Sequence, residues 1–306
     1  MKLTTLKLFA LSALSTSSLL LSQAHAGEPI PVVASFSLLG DLVQVVGGDR
    51  VKVTILAGPD ADAHEFNPRP EHAKAVLGAR LLVVNGLNFE PWAQKLAKSA
   101  GYKGETVVAS QGVKPRQMAA EASHAHPETD PHAWQNPQNV VLYVNNITAG
   151  LSRVDPSGSV TYKANAEAYA KQLKDFDALA KSQFDAIASA NRKVITSHDA
   201  FGYLAARYGI VMLAPEGTNT DSEPSARHVA ELIRQIKREK IKAVFVENMS
   251  NPKLIEQLSK DAGVSVGATL YSDALSDASG PASTYLKMMH YNVTQLVAGM
   301  QLNAPK

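Results

Sequence analysis

From Tyr162 to Ile187 the apolar residues Tyr162, Ala166, Tyr169, Leu173, Phe176, Ala180, Phe184 and Ile187 recur at steps of four and three. Lys163, Lys171, Lys174, Asp175, Asp177, Lys181 and Asp185 fall between them. This spacing predicts one amphipathic helix with a single buried stripe. The segment holds no Gly or Pro, so it is expected to behave as a rigid strut about 40 Å long.

On both sides of this helix, short β-branched runs alternate with helical patterns. Before it, strands are predicted at Pro31–Ser35, Val51–Leu56, Leu81–Asn85 and Glu105–Ala109, separated by helices near Leu38–Val46, Pro70–Ala79 and Pro91–Ala100. After it, strands are predicted at Lys193–Thr196, Val211–Ala214, Ala243–Val246 and Ser265–Leu270, with helices between them and a final helix near Pro281–Met300. Strand-helix alternation implies parallel sheets covered by helices. The expected fold is therefore α/β, with two lobes that each hold a mainly parallel sheet flanked by helices and are joined by the long helix. The expected division is an N-terminal lobe at 27–154, the connecting helix at 155–190 and a C-terminal lobe at 191–306.

Residues 1–26 have a different pattern. Lys2 and Lys7 precede a long apolar run, interrupted by Ser12, Ser15, Ser17 and Ser18, that ends in Ala24, His25 and Ala26. A basic start, an apolar stretch and a small-x-small site describe a cleaved export signal rather than a membrane anchor. No other run reaches the roughly 18–20 apolar residues that a membrane span needs. Loss of Lys2 and Lys7 with the leader leaves 28 basic against 28 acidic side chains, a zero balance that argues against nucleic acid or an anionic membrane as partner. The chain has no cysteine, which excludes disulfides, thiolate metal sites and a thioether-linked lipid anchor. A free periplasmic protein, acting as a monomer, is expected.

Four segments then place a metal-ligating side chain just after a predicted strand: DAHEFNP at His64, DPHAW at His132, TSHDAFGYL at His198 and LYSDALSD at Asp273. In open α/β sheets ligands bind beyond the carboxyl ends of the strands. The four residues lie 68, 66 and 75 positions apart, so only the fold brings them together, two from each lobe. Three imidazoles and one carboxylate form a closed set for a divalent transition metal, with no position left for a reacting water. Asp277 is an alternative to Asp273, since either Asp can serve as a cap after the last strand.

The other histidines fit that chemistry less well. His72 and His228 lie in charged helical patterns, and His290 lies on the last helix in MMHYN. His124 and His126 stand in the Ala-, His- and acid-rich segment 118–131, which lacks the apolar content to pack and is expected to be mobile. There they are candidates for weak accessory metal contacts, with Glu121, Glu128 or Asp130 nearby.

Through these four motifs the chain resembles the metal-specific solute-binding proteins of ABC uptake transporters, the ZnuA-like and TroA-like family. The stretches EFNPRPEHAKAVLGARLLVVNGLNFEPW and PEGTNTDSEPSARHVAELI carry the same resemblance. It implies a periplasmic protein that takes a divalent metal between two lobes and delivers it to a membrane permease, with a periplasmic metallochaperone as a further candidate partner. It also implies that His64, His132, His198 and Asp273 are the metal ligands. Manganese (Mn2+) members of the family usually carry an acidic residue where this chain has His198, whereas zinc members carry three histidines and often a long His-rich loop. The loop here is short. Three nitrogens and one oxygen nonetheless favour Zn2+, with Mn2+ as the alternative.

Two other classes compete. A zinc-dependent hydrolase would use the same residue types, but there is no HExxH helix and the ligand set is closed. A metal-containing adhesin would need an adhesive patch that an evenly charged, unrepetitive chain does not offer. For a carrier, imidazole protonation should weaken metal binding as pH falls through roughly 6 to 5.

Overall fold

The computed structural model describes residues 28–117, 129–217, 220 and 224–305. The leader at 1–26 and the histidines at 124 and 126 lie outside them.

The N-terminal lobe is built on a four-stranded parallel sheet of β1 (Ile30–Phe36), β2 (Val51–Ala57), β3 (Leu81–Val84) and β4 (Glu105–Val108), in the order β2-β1-β3-β4. Register is continuous, with Val33 opposite Thr54 and Leu82 opposite both Val33 and Thr106. All four β3 residues are buried, as expected of a parallel strand covered on both faces. α1 (Ser37–Gly47), α2 (Pro70–Gly78) and α3 (Pro91–Ser99) connect these strands, and Pro70 and Pro91 open their helices where a missing N–H costs nothing.

α4 (Pro137–Val154) and α5 (Ser159–Asp185) run on from this lobe and pack against each other. α5 is the predicted strut, and its stripe from Tyr162 to Phe184 is buried. Asp177 departs from the prediction, because it is buried rather than solvated. Arg207 and the Tyr208 hydroxyl donate to its carboxylate, and this pairing makes burial tolerable.

In the C-terminal lobe, β5 (Lys193–Ile195) and β6 (Val211–Leu213) pair in parallel. α6 (Gly202–Tyr208), α7 (Ala226–Glu239), α8 (Lys253–Ala262) and α9 (Tyr285–Gln301) surround them. The strands predicted at 243–246 and 265–270 are reduced to isolated parallel bridges, Ile195 with Val244, Val244 with Val266 and Glu247 with Leu270. The order is still that of the first sheet, with β6, β5, Val244 and Val266 in the places of β2, β1, β3 and β4.

One apolar core joins the lobes, running from Val32 and Leu39 through Tyr162, Leu173 and Phe184 to Phe201, Phe245 and Leu296. Separate cores cover the outer face of each sheet, around Leu82 and Leu96 and around Leu232 and Ile255. Each fully buried side chain of this kind contributes roughly 1.5–3 kcal/mol. No helix among the described residues is long and apolar enough to cross a membrane.

Candidate metal centre

His64, His132, His198 and Asp273 converge at the carboxyl ends of the two sheets. Each offers one ligand atom, and the four atoms lie within 4.8 Å of one another. Asp273 Oδ2 is 3.2 Å from His64 Nε2, 3.1 Å from His198 Nε2 and 3.7 Å from His132 Nε2, while the His64 and His132 Nε2 atoms are 3.2 Å apart. A tetrahedron of nitrogen and oxygen ligands about 2.0–2.1 Å from a metal has edges of roughly 3.3–3.4 Å. Asp273 Oδ1 is buried with no hydrogen-bond partner, a charged oxygen that a cation would satisfy. The Asp277 carboxylate instead accepts the Ser279 and Gly280 amides of its own turn.

Each imidazole is held differently. His64 ends a loop stiffened by Asp62, which accepts the His64 amide, and by Trp92, whose indole donates to the Ala63 carbonyl. Its ring packs edge-on to Phe89 at 4.5 Å and its side chain stays 6% exposed, the one of the four that touches solvent. Phe89 follows three consecutive residues with positive φ, Gly86, Leu87 and Asn88, a strained turn of the kind found at functional sites. His132 is fully buried beside Trp134 and hydrogen-bonds through Nδ1 to Asp130 at 3.0 Å. Arg116 donates to the other Asp130 oxygen at 2.8 Å. A Cβ on Gly202 would fall 1.9 Å from Arg116 Nη1, so a larger residue there would have to displace the guanidinium from its place beside Asp130. Asp130 and Pro131, expected in the mobile segment, are buried, and Asp130 serves His132 rather than a loop site.

His198 has the most complete support. Glu247 Oε1 accepts the amides of Ser197 and His198, and Glu247 Oε2 lies 2.7 Å from His198 Nδ1. The two atoms are within ion-pair distance but are not aligned as a hydrogen bond, and Nε2 on the far side of the ring lies 3.1 Å from Asp273 Oδ2. Glu247 and Phe89 were not singled out in the sequence, and Asp130 was named only as a possible partner for the loop histidines. The available signals were the Asp of DPH and the lone acid closing the apolar run AVFVE.

The electrostatics divide the histidines. Burial holds His64 below the ordinary histidine range despite the attraction of Asp273. Burial also disfavours the charged forms of His132 and His198, but carboxylates outweigh it. Asp273 and Asp130 raise His132 to about 9, and Glu247 and Asp273 hold His198 well above its ordinary value. Asp273 is kept far below the carboxylate range: its burial is overcome by His132 and His198. Proton competition therefore starts at higher pH than the expected window of 6 to 5. Of the buried carboxylates touching the imidazoles, Asp130 is paired with Arg116, while Asp273 and Glu247 carry two negative charges that one divalent ion would balance once the rings are neutral.

A two-lobed α/β scaffold with a His3Asp cage at the strand ends defines a metal-binding substrate-binding protein of the kind that serves ABC transporters. The family described as zinc-uptake complex component A, periplasmic (ZnuA), matches residues 32–299, and the chain belongs to that family. It is 32% identical over 305 residues to the iron-binding protein YfeA of Yersinia pestis, covering 96% of both chains. It is also 32% identical over 274 residues to the manganese-binding lipoprotein MntA of Halalkalibacterium halodurans, covering 90% of this chain and 89% of that one. The solved periplasmic zinc binding protein TroA from Treponema pallidum matches with a TM-score of 0.83 at 27% identity, over 90% of this chain and 99% of that one. The protein is thus the substrate-binding component of an ABC transporter, working with a permease. Membership of a transport family removes the hydrolase reading.

Proposed function

We propose that the protein captures one Zn2+ in the periplasm with His64, His132, His198 and Asp273 and delivers it to the permease of its ABC transporter. The observation that supports this reading is the convergence of four ligand atoms within 4.8 Å of one another, four of their six separations being 3.1–3.7 Å, close to the edges of a tetrahedron around a small ion. Three nitrogen donors against one oxygen favour zinc over manganese, which prefers oxygen-rich sites. The reading includes an N-terminal lobe at 27–154, a connecting helix at 155–190 and a C-terminal lobe at 191–306, exported by cleavage after Ala26 and acting as a monomer. Without cysteine the chain has no residue for a thioether-linked lipid, so it is proposed to be free rather than anchored. The accessory metal contacts at His124 and His126 rest on the sequence alone.

Manganese or iron is the second reading, favoured by relatives at 32% identity that are named for those metals. Elemental analysis of protein purified from the periplasm separates the two. One zinc per chain, lost in Asp273→Ala, supports the proposal. Recovery of manganese or iron in its place supports the alternative.

A further inference from the structure

Asp273 follows the last bridge of the C-terminal lobe, yet its immediate neighbours are bonded to the N-terminal lobe. The Trp134 indole and the Gln135 amide both donate to the Ser272 carbonyl at 2.9 Å. The Leu275 amide donates to Ser37 Oγ at 2.9 Å, and the Asp60 amide donates to the Leu275 carbonyl at 3.0 Å. The C-terminal lobe holds the chain up to Tyr271, whose amide donates to Asn292 Oδ1 at 3.0 Å and whose carbonyl accepts Asn292 Nδ2 at 2.6 Å, but from Ser272 to Leu275 its backbone tie is the long one from Asn248 Nδ2, 3.4 Å from the Ala274 carbonyl. Downstream, the first residue of α9 is held in the same direction: Asp41 of α1 accepts the Tyr285 amide at 2.8 Å and the Tyr285 hydroxyl donates to the Trp134 carbonyl at 2.7 Å, while Asn303 just past the other end of the helix bonds to Lys193, Lys242 and Ala243 of the C-terminal lobe.

His198 is placed the opposite way. The backbone of residues 196–199 bonds to Leu213, Gly217 and Glu247, all in the C-terminal lobe. The tie of this segment to the other lobe comes five residues later, where the Tyr203 hydroxyl donates to the Asp130 carbonyl at 3.2 Å.

We propose that Trp134 and Gln135 are positioning residues for Asp273, so that the cage divides three to one: His64, His132 and Asp273 form one body, and His198 alone is carried by the other. Metal release then begins by withdrawal of His198, leaving a three-ligand site that still holds the ion loosely. The inference rests on the reading of these four residues as metal ligands. It differs from a two-and-two division between lobes, in which Asp273 leaves together with His198. Gln135 Oε1 is buried without a partner, which shows that this side chain is placed for its donor, since the reversed amide would set two oxygens against each other.

The absence of cysteine allows unique spin labels at the exposed positions Lys98 (N-terminal lobe), Ala278 (after Asp273) and Lys260 (α8). On removal of Zn2+ from the full protein, the 98–260 separation should change by on the order of 1–2 Å or more, while the 98–278 separation changes by less than half as much. Equal changes in both pairs, or no change in either, would overturn the division. As a second measure, Gln135→Met keeps the side-chain length and removes the donor. It should raise the Zn2+ dissociation rate roughly 10-fold and alter the visible spectrum of the Co2+ form, a readout of ligand geometry that general loosening does not move. An unchanged rate and spectrum would remove the positioning role. If the wild type itself takes up no stoichiometric Zn2+ or Co2+, the ligand reading fails instead.

Discussion

The two sheets share a strand order but not a degree of regularity. The first has four strands in continuous register, whereas the second has two three-residue strands extended by single bridges. The first lobe holds His64 by a stiff loop and aromatic packing, and His132 by Asp130, which bonds to its ring and its amide. The second holds His198 with Glu247, which accepts the amides of Ser197 and His198 and lies 2.7 Å from the ring. Both lobes thus set a buried carboxylate behind a histidine, but Glu247 also ties two successive amides where the ladder is thin, so its replacement is expected to disturb more of its lobe.

The largest effect on this contrast should come from the ligands. His198→Ala is expected to weaken Zn2+ binding well beyond the 10–100-fold typical of a supporting partner, measured by competition with a chelating dye. Glu247→Gln should cost roughly 10–100-fold in the same assay, and more than Asp130→Asn, because Glu247 holds two amides where Asp130 holds one. Equal losses in the two variants would mean that the lobes support their histidines alike.

pH should sharpen the comparison further. His132 and His198 are raised, so the metal-free protein holds protons there at neutral pH, while His64 is lowered and already neutral. Zinc must displace those protons, so affinity should fall steadily from about pH 8 to 6, by roughly tenfold per pH unit for each proton exchanged. Calorimetry in buffers of different ionisation enthalpy would count them. The same shift stabilises the metal-free fold below the unfolded histidine value, and this contribution is lost as pH rises through about 9. A smaller effect is expected of Gly202→Ala, which pushes Arg116 off Asp130 and should weaken zinc a few-fold.

Much of this was legible in the sequence. The strut, the first four strands and the four ligand motifs appear in hydrophobic period and in the His and Asp placed after strands. α4 was not anticipated, because Val140, Val141, Val144, Ile147 and Thr148 are poor intrinsic helix formers and packing against α5 decides the outcome. Asp177 looked solvated because its partner Arg207 lies thirty residues away in sequence. Glu247 was hidden for the same reason: a carboxylate that supports a ligand carries no local pattern, and only the fold sets it behind His198.

Competitive titration of the metal-free protein with Zn2+ and Mn2+, followed by the fluorescence of Trp92 and Trp134, tests the central claim most directly. Trp92 bonds to the residue preceding His64 and Trp134 packs on His132, so both report on the cage. Tight one-to-one Zn2+ binding that outcompetes Mn2+ and collapses in His198→Ala is the predicted result. Mn2+ preference, or tight Zn2+ binding that survives the loss of His198, would contradict it.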